Sequence, residues 1–164
     1  AAGFWFMKIF RETYNLHCCS GILFNHESPL RSKDFVTKKI INTSKKIKKN
    51  DKLNLYLGNI DIYRDWVWAP EYVKVMWLML QQKKPMDLVI GTGEKHSIRE
   101  FVNEVFKLLE IKKNKLKPNT KKFKRKIDIS SYKADISLIK KKLKWKPKVG
   151  FKQIVFKMVN DQLF

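Results

Sequence analysis

The chain has 164 residues, with 36 Lys and Arg against 15 Asp and Glu, and a formal charge of +21. Its content of 44% hydrophobic and 13% aromatic residues suits a packed core, while no apolar run approaches the roughly 20 residues of a membrane-crossing helix. The glycines are scattered at Gly3, Gly21, Gly58, Gly91, Gly93 and Gly150, which excludes a Gly-x-x-Gly-x-x-Gly cradle for dinucleotide phosphates within the chain.

In chain order, Ala1 to Asn15 reads as a helix. Phe4, Met7 and Phe10 fall on one side, and Trp5, Phe6 and Ile9 fill more of its surface. A helix apolar nearly all round is expected to be buried. Such a start lacks the basic residues and small-residue cleavage site of a signal peptide. His17 to Phe24 reads as a buried parallel strand, and Asn25 to Lys33 as a loop stiffened by Pro29. An apolar run that ends abruptly in Asn25-His-Glu-Ser-Pro29 is how a strand delivers a polar segment to a ligand crevice at its carboxyl end. Asp34 is placed to cap a helix to about Lys48, with Phe35, Val36, Ile40, Ile41 and Ile47 inward. Leu53 to Leu57 alternates as a strand does, and Ile60 to Trp66 suggests a short return strand. Pro70 suits the first turn of a helix to about Gln82, whose expected core face is Val73, Met76, Trp77 and Leu80.

Asp87 to Ile90 is a further strand. Ser97-Ile-Arg-Glu100 spells a capping box, and Ile98, Phe101, Val102, Val105, Phe106 and Leu109 follow it at helical spacing. Lys112 to Lys126, polar and containing Pro118, reads as a loop. Asp135 is placed to cap a helix to Leu143. Phe151, Ile154, Val155, Met158 and Val159 keep helical spacing to the end. Strands alternating with helices predict an α/β fold.

The lysines cluster at Lys38 to Lys52, Lys112 to Lys126 and Lys140 to Lys148. A nucleic-acid surface would account for them, and so would lysine filling solvated helix faces. The second reading is preferred, because the aromatics sit at core-like spacings and do not interleave with the lysines as a stacking platform requires. Specific nucleic-acid binding is therefore not expected, although the charge predicts nonspecific adhesion to polyanions at low salt. Cys18 and Cys19 are adjacent; on a strand they would point to opposite faces, which argues against a disulfide or a shared metal. His17 and His96 are isolated, so no metal site is assigned. A reducing, cytoplasmic location is the simplest compartment.

Several strings together carry a family resemblance: Gly21-Ile-Leu-Phe-Asn-His-Glu-Ser-Pro29, Phe35-Val-Thr-Lys-Lys-Ile40, Leu57-Gly-Asn59, Arg64-Asp-Trp66, Gly91-Thr-Gly-Glu-Lys-His-Ser97 and Trp145-Lys-Pro147. They resemble the GDP-mannose 4,6-dehydratases, extended short-chain dehydrogenase/reductases that act on nucleotide sugars. The resemblance covers essentially the whole chain and corresponds to the carboxyl half of such an enzyme. It implies the carboxyl-terminal part of a Rossmann-type fold. Residues 1–33 would be the remnant of the dinucleotide domain, and 34–164 a substrate-binding domain interleaved with returning Rossmann elements. It further implies NADP as cofactor, GDP-mannose as substrate and a homo-oligomer, dimer or tetramer. The family's catalytic Tyr-x-x-x-Lys would immediately precede Ala1. Tyr14 is followed four residues on by Cys18 rather than Lys, so no catalytic residue is assigned and the chain alone is expected to be inactive.

By the same resemblance, Arg64 and Arg125 would bind the pyrophosphate, for which a guanidinium offers a planar fork of donors. Arg125 stands at an Arg-Pro-x-Glu motif that here reads Arg125-Lys-Ile-Asp128, with Asp128 facing the ribose hydroxyls. Asn25 would meet the substrate phosphates, Lys39 would donate to guanine O6, and the backbone at Val36 would touch the guanine ring. His26 and Arg31 would lie on the cofactor side. Leu30 stands where relatives tend to carry arginine, which weakens any contact bridging to a neighbouring subunit's cofactor. Two rival readings stay open: a dehydratase or epimerase for another nucleotide sugar, separated by its guanine contacts, and a basic nucleic-acid-binding module.

Overall fold

The computed structural model describes residues 2–118 and 129–163. It is a mixed α/β fold, with paired strands, mostly parallel, and helices packed against them. The elements are α1 (Ala2–Tyr14), β1 (Ser20–Leu23), β2 (Asn25–Glu27), α2 (Val36–Lys49), β3 (Leu55–Leu57), β4 (Tyr63–Arg64), β5 (Trp66–Trp68), α3 (Ala69–Leu80), β6 (Asp87–Ile90), β7 (His96–Ser97), α4 (Ile98–Leu108), β8 (Leu116–Pro118), α5 (Ser137–Leu143) and α6 (Phe151–Val159). The pairs β1–β6, β2–β5 and β3–β8 are parallel, and β4–β7 is antiparallel.

Two apolar cores form. The first gathers Ile40, Ile41 and Ile47 of α2, Leu55 and Leu57 of β3, the buried face of α4, and Ile154, Val155 and Met158 of α6. The second gathers Tyr72, Val75 and Met79 of α3, Leu88 and Ile90 of β6, then Ala134, Ile136, Ile139 and Trp145. Strand β5 lies between them. Trp66 and Trp68 enter the first core and Val67 the second, because successive strand residues point to opposite faces.

Local chemistry explains several boundaries. The capping box of α4 is complete: Ser97 Oγ accepts from Glu100 N at 3.1 Å, and Glu100 Oε2 accepts from Ser97 N at 2.6 Å. Pro70 lies in the first turn of α3, where its missing N–H costs nothing. Glu71 in the same turn accepts from Lys148 N at 2.6 Å, tying α3 to the approach of α6. Arg11 of α1 forks onto Asp87 at 2.6 and 3.1 Å and so fastens α1 to the start of β6.

Other expectations are corrected. The strand expected from His17 begins at Ser20, and Gly21, Ile22 and Leu23 are exposed; β6 is its one partner among the described residues. Asn25 to Glu27, expected as loop, is a strand, because β5 supplies parallel partners in the register Asn25 to Trp66 and Glu27 to Trp68. The return strand expected over 60–66 is two short strands in different pairs. Asp34 does not cap α2; Phe35 occupies the cap without a side-chain bond, Asp34 accepts from Ser32 Oγ, and both Phe35 and Val36 are exposed.

The core face of α3 is Tyr72, Val75 and Met79, whereas Val73 and Trp77 are 65% and 60% exposed, with Met76 and Leu80 also outward. α1 buries no residue. Lys113–Lys115 is a 3-10 turn and β8 pairs with β3 where a loop was expected. Asp135 bonds the backbone of Ser137 at 2.9 Å, but Ile136 is the cap residue of α5. Cys18 and Cys19 carry free thiols just before β1. Among the described residues, no helix is long and apolar enough to cross a membrane, and no group of three or more His, Cys, Asp or Glu is gathered to hold a metal.

Candidate functional site

Polar residues converge where the parallel strands end. β1 runs through Phe24 into β2, and β6 runs into Gly91-Thr-Gly93, so both deliver polar segments at their carboxyl ends. Asp65, fully buried between Arg64 and Trp66, organises this end. Its carboxylate accepts from Thr92 N at 2.8 Å, Thr92 Oγ1 at 2.6 Å, Gly93 N at 2.9 Å and Ala134 N at 3.2 Å. A buried polar group is tolerable only when hydrogen-bonded, and these donors meet that need. Gly91 is required because a Cβ there would lie 2.2 Å from Ala134 Cβ, and Gly93 adopts φ +77°, a conformation that favours glycine.

Asn25 and Arg64 are joined through Tyr132. The Tyr132 hydroxyl donates to Asn25 Oδ1 at 2.6 Å, and the Arg64 guanidinium carbon stands 4.7 Å from the centre of the Tyr132 ring. Arg64 Nη1 donates to Tyr63 O at 2.7 Å and Ile129 O at 2.8 Å. Lys95 adds a second cation, bonded to Ser131 Oγ at 3.1 Å. Register places Arg64 opposite His96, whose ring stacks on Phe151 at 3.9 Å. A cavity of about 550 Å³ is lined by Thr92, Gly93, Glu94, Lys133, Asp135 and Ser137 among others, of which Thr92 and Gly93 bond Asp65.

The far end of β2 is set by Glu27, almost wholly buried. It accepts from Thr37 Oγ1 at 2.8 Å, and Arg31 Nε lies 3.7 Å away. Burial pushes the Glu27 carboxyl up to about 7, with Thr37 and Arg31 opposing. The Thr37 bond and the Lys38 bond to Pro29 O at 2.7 Å dock the first turn of α2 against this loop.

The expected site residues therefore divide. Asn25 and Arg64 come together. Val36 and Lys39 stand exposed on the first turn of α2. His26 packs edge-on against Tyr72, and Arg31 turns inward between Glu27 and the Phe35 ring. Arg125 and Asp128 lie outside the described residues. Sequence reasoning missed Asp65 and Tyr132. A single acid flanked by the apolar Trp-Val-Trp strand was a usable sign of a buried carboxylate; nothing local marks Tyr132.

Parallel strand pairs, helices packed against them and polar segments at the strand ends are those of a partial Rossmann-type α/β fold. The structure of dTDP-glucose 4,6-dehydratase from Bacillus anthracis, solved with NAD, superposes with a TM-score of 0.82 at 17% identity, over 96% of this chain and 48% of that one. A Pseudomonas aeruginosa protein described as RMD, complexed with NADPH, gives 0.82 at 16% identity, over 96% of this chain and 51% of that one. The family model described as GDP-mannose 4,6 dehydratase matches residues 1–158, and the chain belongs to that family. GDP-mannose 4,6 dehydratase 1 of Arabidopsis thaliana is 43% identical over 162 residues, covering 99% of this chain and 45% of the relative. The chain thus spans about half the length of the curated relatives it matches.

Proposed function

We propose that the chain is the substrate-binding half of a GDP-mannose 4,6-dehydratase, which converts GDP-mannose to GDP-4-keto-6-deoxymannose and water. The observation that carries this reading is the Asn25–Tyr132–Arg64 cluster at the strand ends of a chain belonging to that family. Arg64 supplies a fixed guanidinium for the pyrophosphate, and Asn25 supplies an amide for a phosphate oxygen. Lys39 on α2 selects guanine through O6, with the Val36 backbone against the ring, and Arg125 and Asp128 complete the pyrophosphate and ribose contacts. In this reading residues 1–33 are the dinucleotide-domain remnant, and the rest is mainly the substrate domain. A bound nicotinamide dinucleotide, NADP in this reading, would supply the hydride-transfer chemistry on the hexose. This chain has no glycine-rich phosphate loop; in this reading His26 and Arg31 contact the cofactor from its side of the crevice, and the chain contributes mainly affinity and orientation. The whole protein is read as a cytoplasmic homo-oligomer.

Calorimetric titration tests this reading. GDP-mannose should bind more tightly than ADP-mannose, UDP-glucose or dTDP-glucose, and Arg64→Lys should weaken it by about 1–3 kcal/mol, more than it disturbs the fold in a parallel thermal melt. Equal affinity for the UDP or dTDP sugars would move the assignment to a related dehydratase or epimerase. Tight binding of an oligonucleotide, steeply salt-dependent, with none of GDP-mannose would replace it by the nucleic-acid reading.

A further inference from the structure

We propose that Tyr132 is a positioning residue that turns the amide of Asn25 donor-side toward the ligand and seats the Arg64 guanidinium; the proposal rests on the nucleotide-sugar reading above. A carboxamide presents either an oxygen or an NH2 group depending on which way it is flipped. Against a phosphate only the NH2 end is attractive, since the oxygen end would set one acceptor against another. With Nδ2 turned to the phosphate, the amide oxygen faces away and needs a donor of its own. The Tyr132 hydroxyl is that donor, reaching Asn25 Oδ1 at 2.6 Å, so it supports the flip that an anion requires and leaves Nδ2 as the group the amide offers.

The same ring acts on Arg64. Its face lies 4.7 Å from the guanidinium carbon, close enough for a cation–ring attraction. The ring is itself held: it packs 5.4 Å from Phe24, the residue that precedes Asn25. Its segment is tied to β4 by the Tyr63 N bond to Ser130 O at 2.8 Å, and to Asp65 through Ala134 N. One side chain thus couples two strands that carry the two polar groups. Hydroxyl and ring have separate tasks, so substitutions can separate them.

The test uses the full-length protein with GDP-mannose as the probe. Tyr132→Phe keeps the ring and should weaken binding about 5–20-fold, the worth of one hydrogen bond to a group that contacts an anion. Its melting temperature should be unchanged. Tyr132→Leu removes both functions and should weaken binding further. In parallel, NMR of the Asn25 side-chain amide, without ligand, should show one ordered orientation in the parent and averaging in Tyr132→Phe. Binding by Tyr132→Phe within about twofold of the parent overturns the proposal, as does an Asn25 amide equally ordered in both. A parent that binds no nucleotide sugar sinks the functional reading, and the amide measurement still decides the role of Tyr132.

Discussion

Helices α4 and α3 have 11 and 12 residues, yet five residues of α4 are buried against three of α3. The outer face of α4 is Arg99, Asn103, Glu104 and Lys107, whereas that of α3 is Val73, Met76, Trp77 and Leu80. α4 needs one apolar neighbour and has it. α3 is apolar on two sides, and the described chain covers one. α1 stands with α3, since it carries Phe4, Trp5, Phe6, Ile9 and Phe10 exposed. The contrast separates what a pattern guarantees from what a partner must supply: an amphipathic stripe identifies its own buried face, and a helix apolar all round does not.

The largest effect that tests this contrast is expected from Phe101→Ala in α4. A fully buried ring is removed from the first core, which should cost about 3–5 kcal/mol in denaturant unfolding; a loss under about 1 kcal/mol would mean that core is not tightly packed. Glu27→Gln should come next. The folded carboxyl titrates near 7 against an ordinary 4.5, so the folded chain holds its proton more tightly than the unfolded chain. That contribution is full below 4.5 and is lost as pH rises through 7, a swing on the order of 3 kcal/mol. Gln should keep the Thr37 bond and flatten the curve over that window, raising stability above it. An unchanged slope in a pH series of thermal melts would show that Glu27 is ionised throughout.

Asp65→Asn turns an amide NH2 toward two of the four donors Thr92 N, Thr92 Oγ1, Gly93 N and Ala134 N. The expected loss is about 2–3 kcal/mol, with faster hydrogen exchange at Thr92 and Gly93; unaltered exchange would remove Asp65 from its organising role. The smallest effect belongs to Trp77→Ser on the outer face of α3, within about 0.5 kcal/mol of the parent. A large destabilisation there would show that the face is covered within the chain and would break the comparison with α4.

What could be read beforehand follows the same division. The capping box at Ser97, Pro70 in its first turn and the inward residues of α4 and α6 were legible, because each is a local rule or a one-sided stripe. The face of α3 was not: Val73, Met76, Trp77 and Leu80 satisfy helical spacing as well as Tyr72, Val75 and Met79 do. β2 was hidden because its strand character comes from β5, about forty residues on, and its own residues Asn-His-Glu have a loop's composition. Asn25 and Arg64 were singled out through family strings as candidates. Their link was not legible, because Tyr132 lies over a hundred residues from Asn25 and no local pattern joins them.

The strand with Val67 between two tryptophans has a mechanical consequence. A slip of β5 by one residue would drive Val67 into the space built for Trp66 or Trp68 and push an indole into the space built for Val67. One core would be left hollow and the other overfilled in the same event. The strand is a shared wall that cannot fail on one side alone, so the two cores should open together. Amides of α4 and of β6 should then exchange in a single cooperative step, even though their side chains never meet in one cluster.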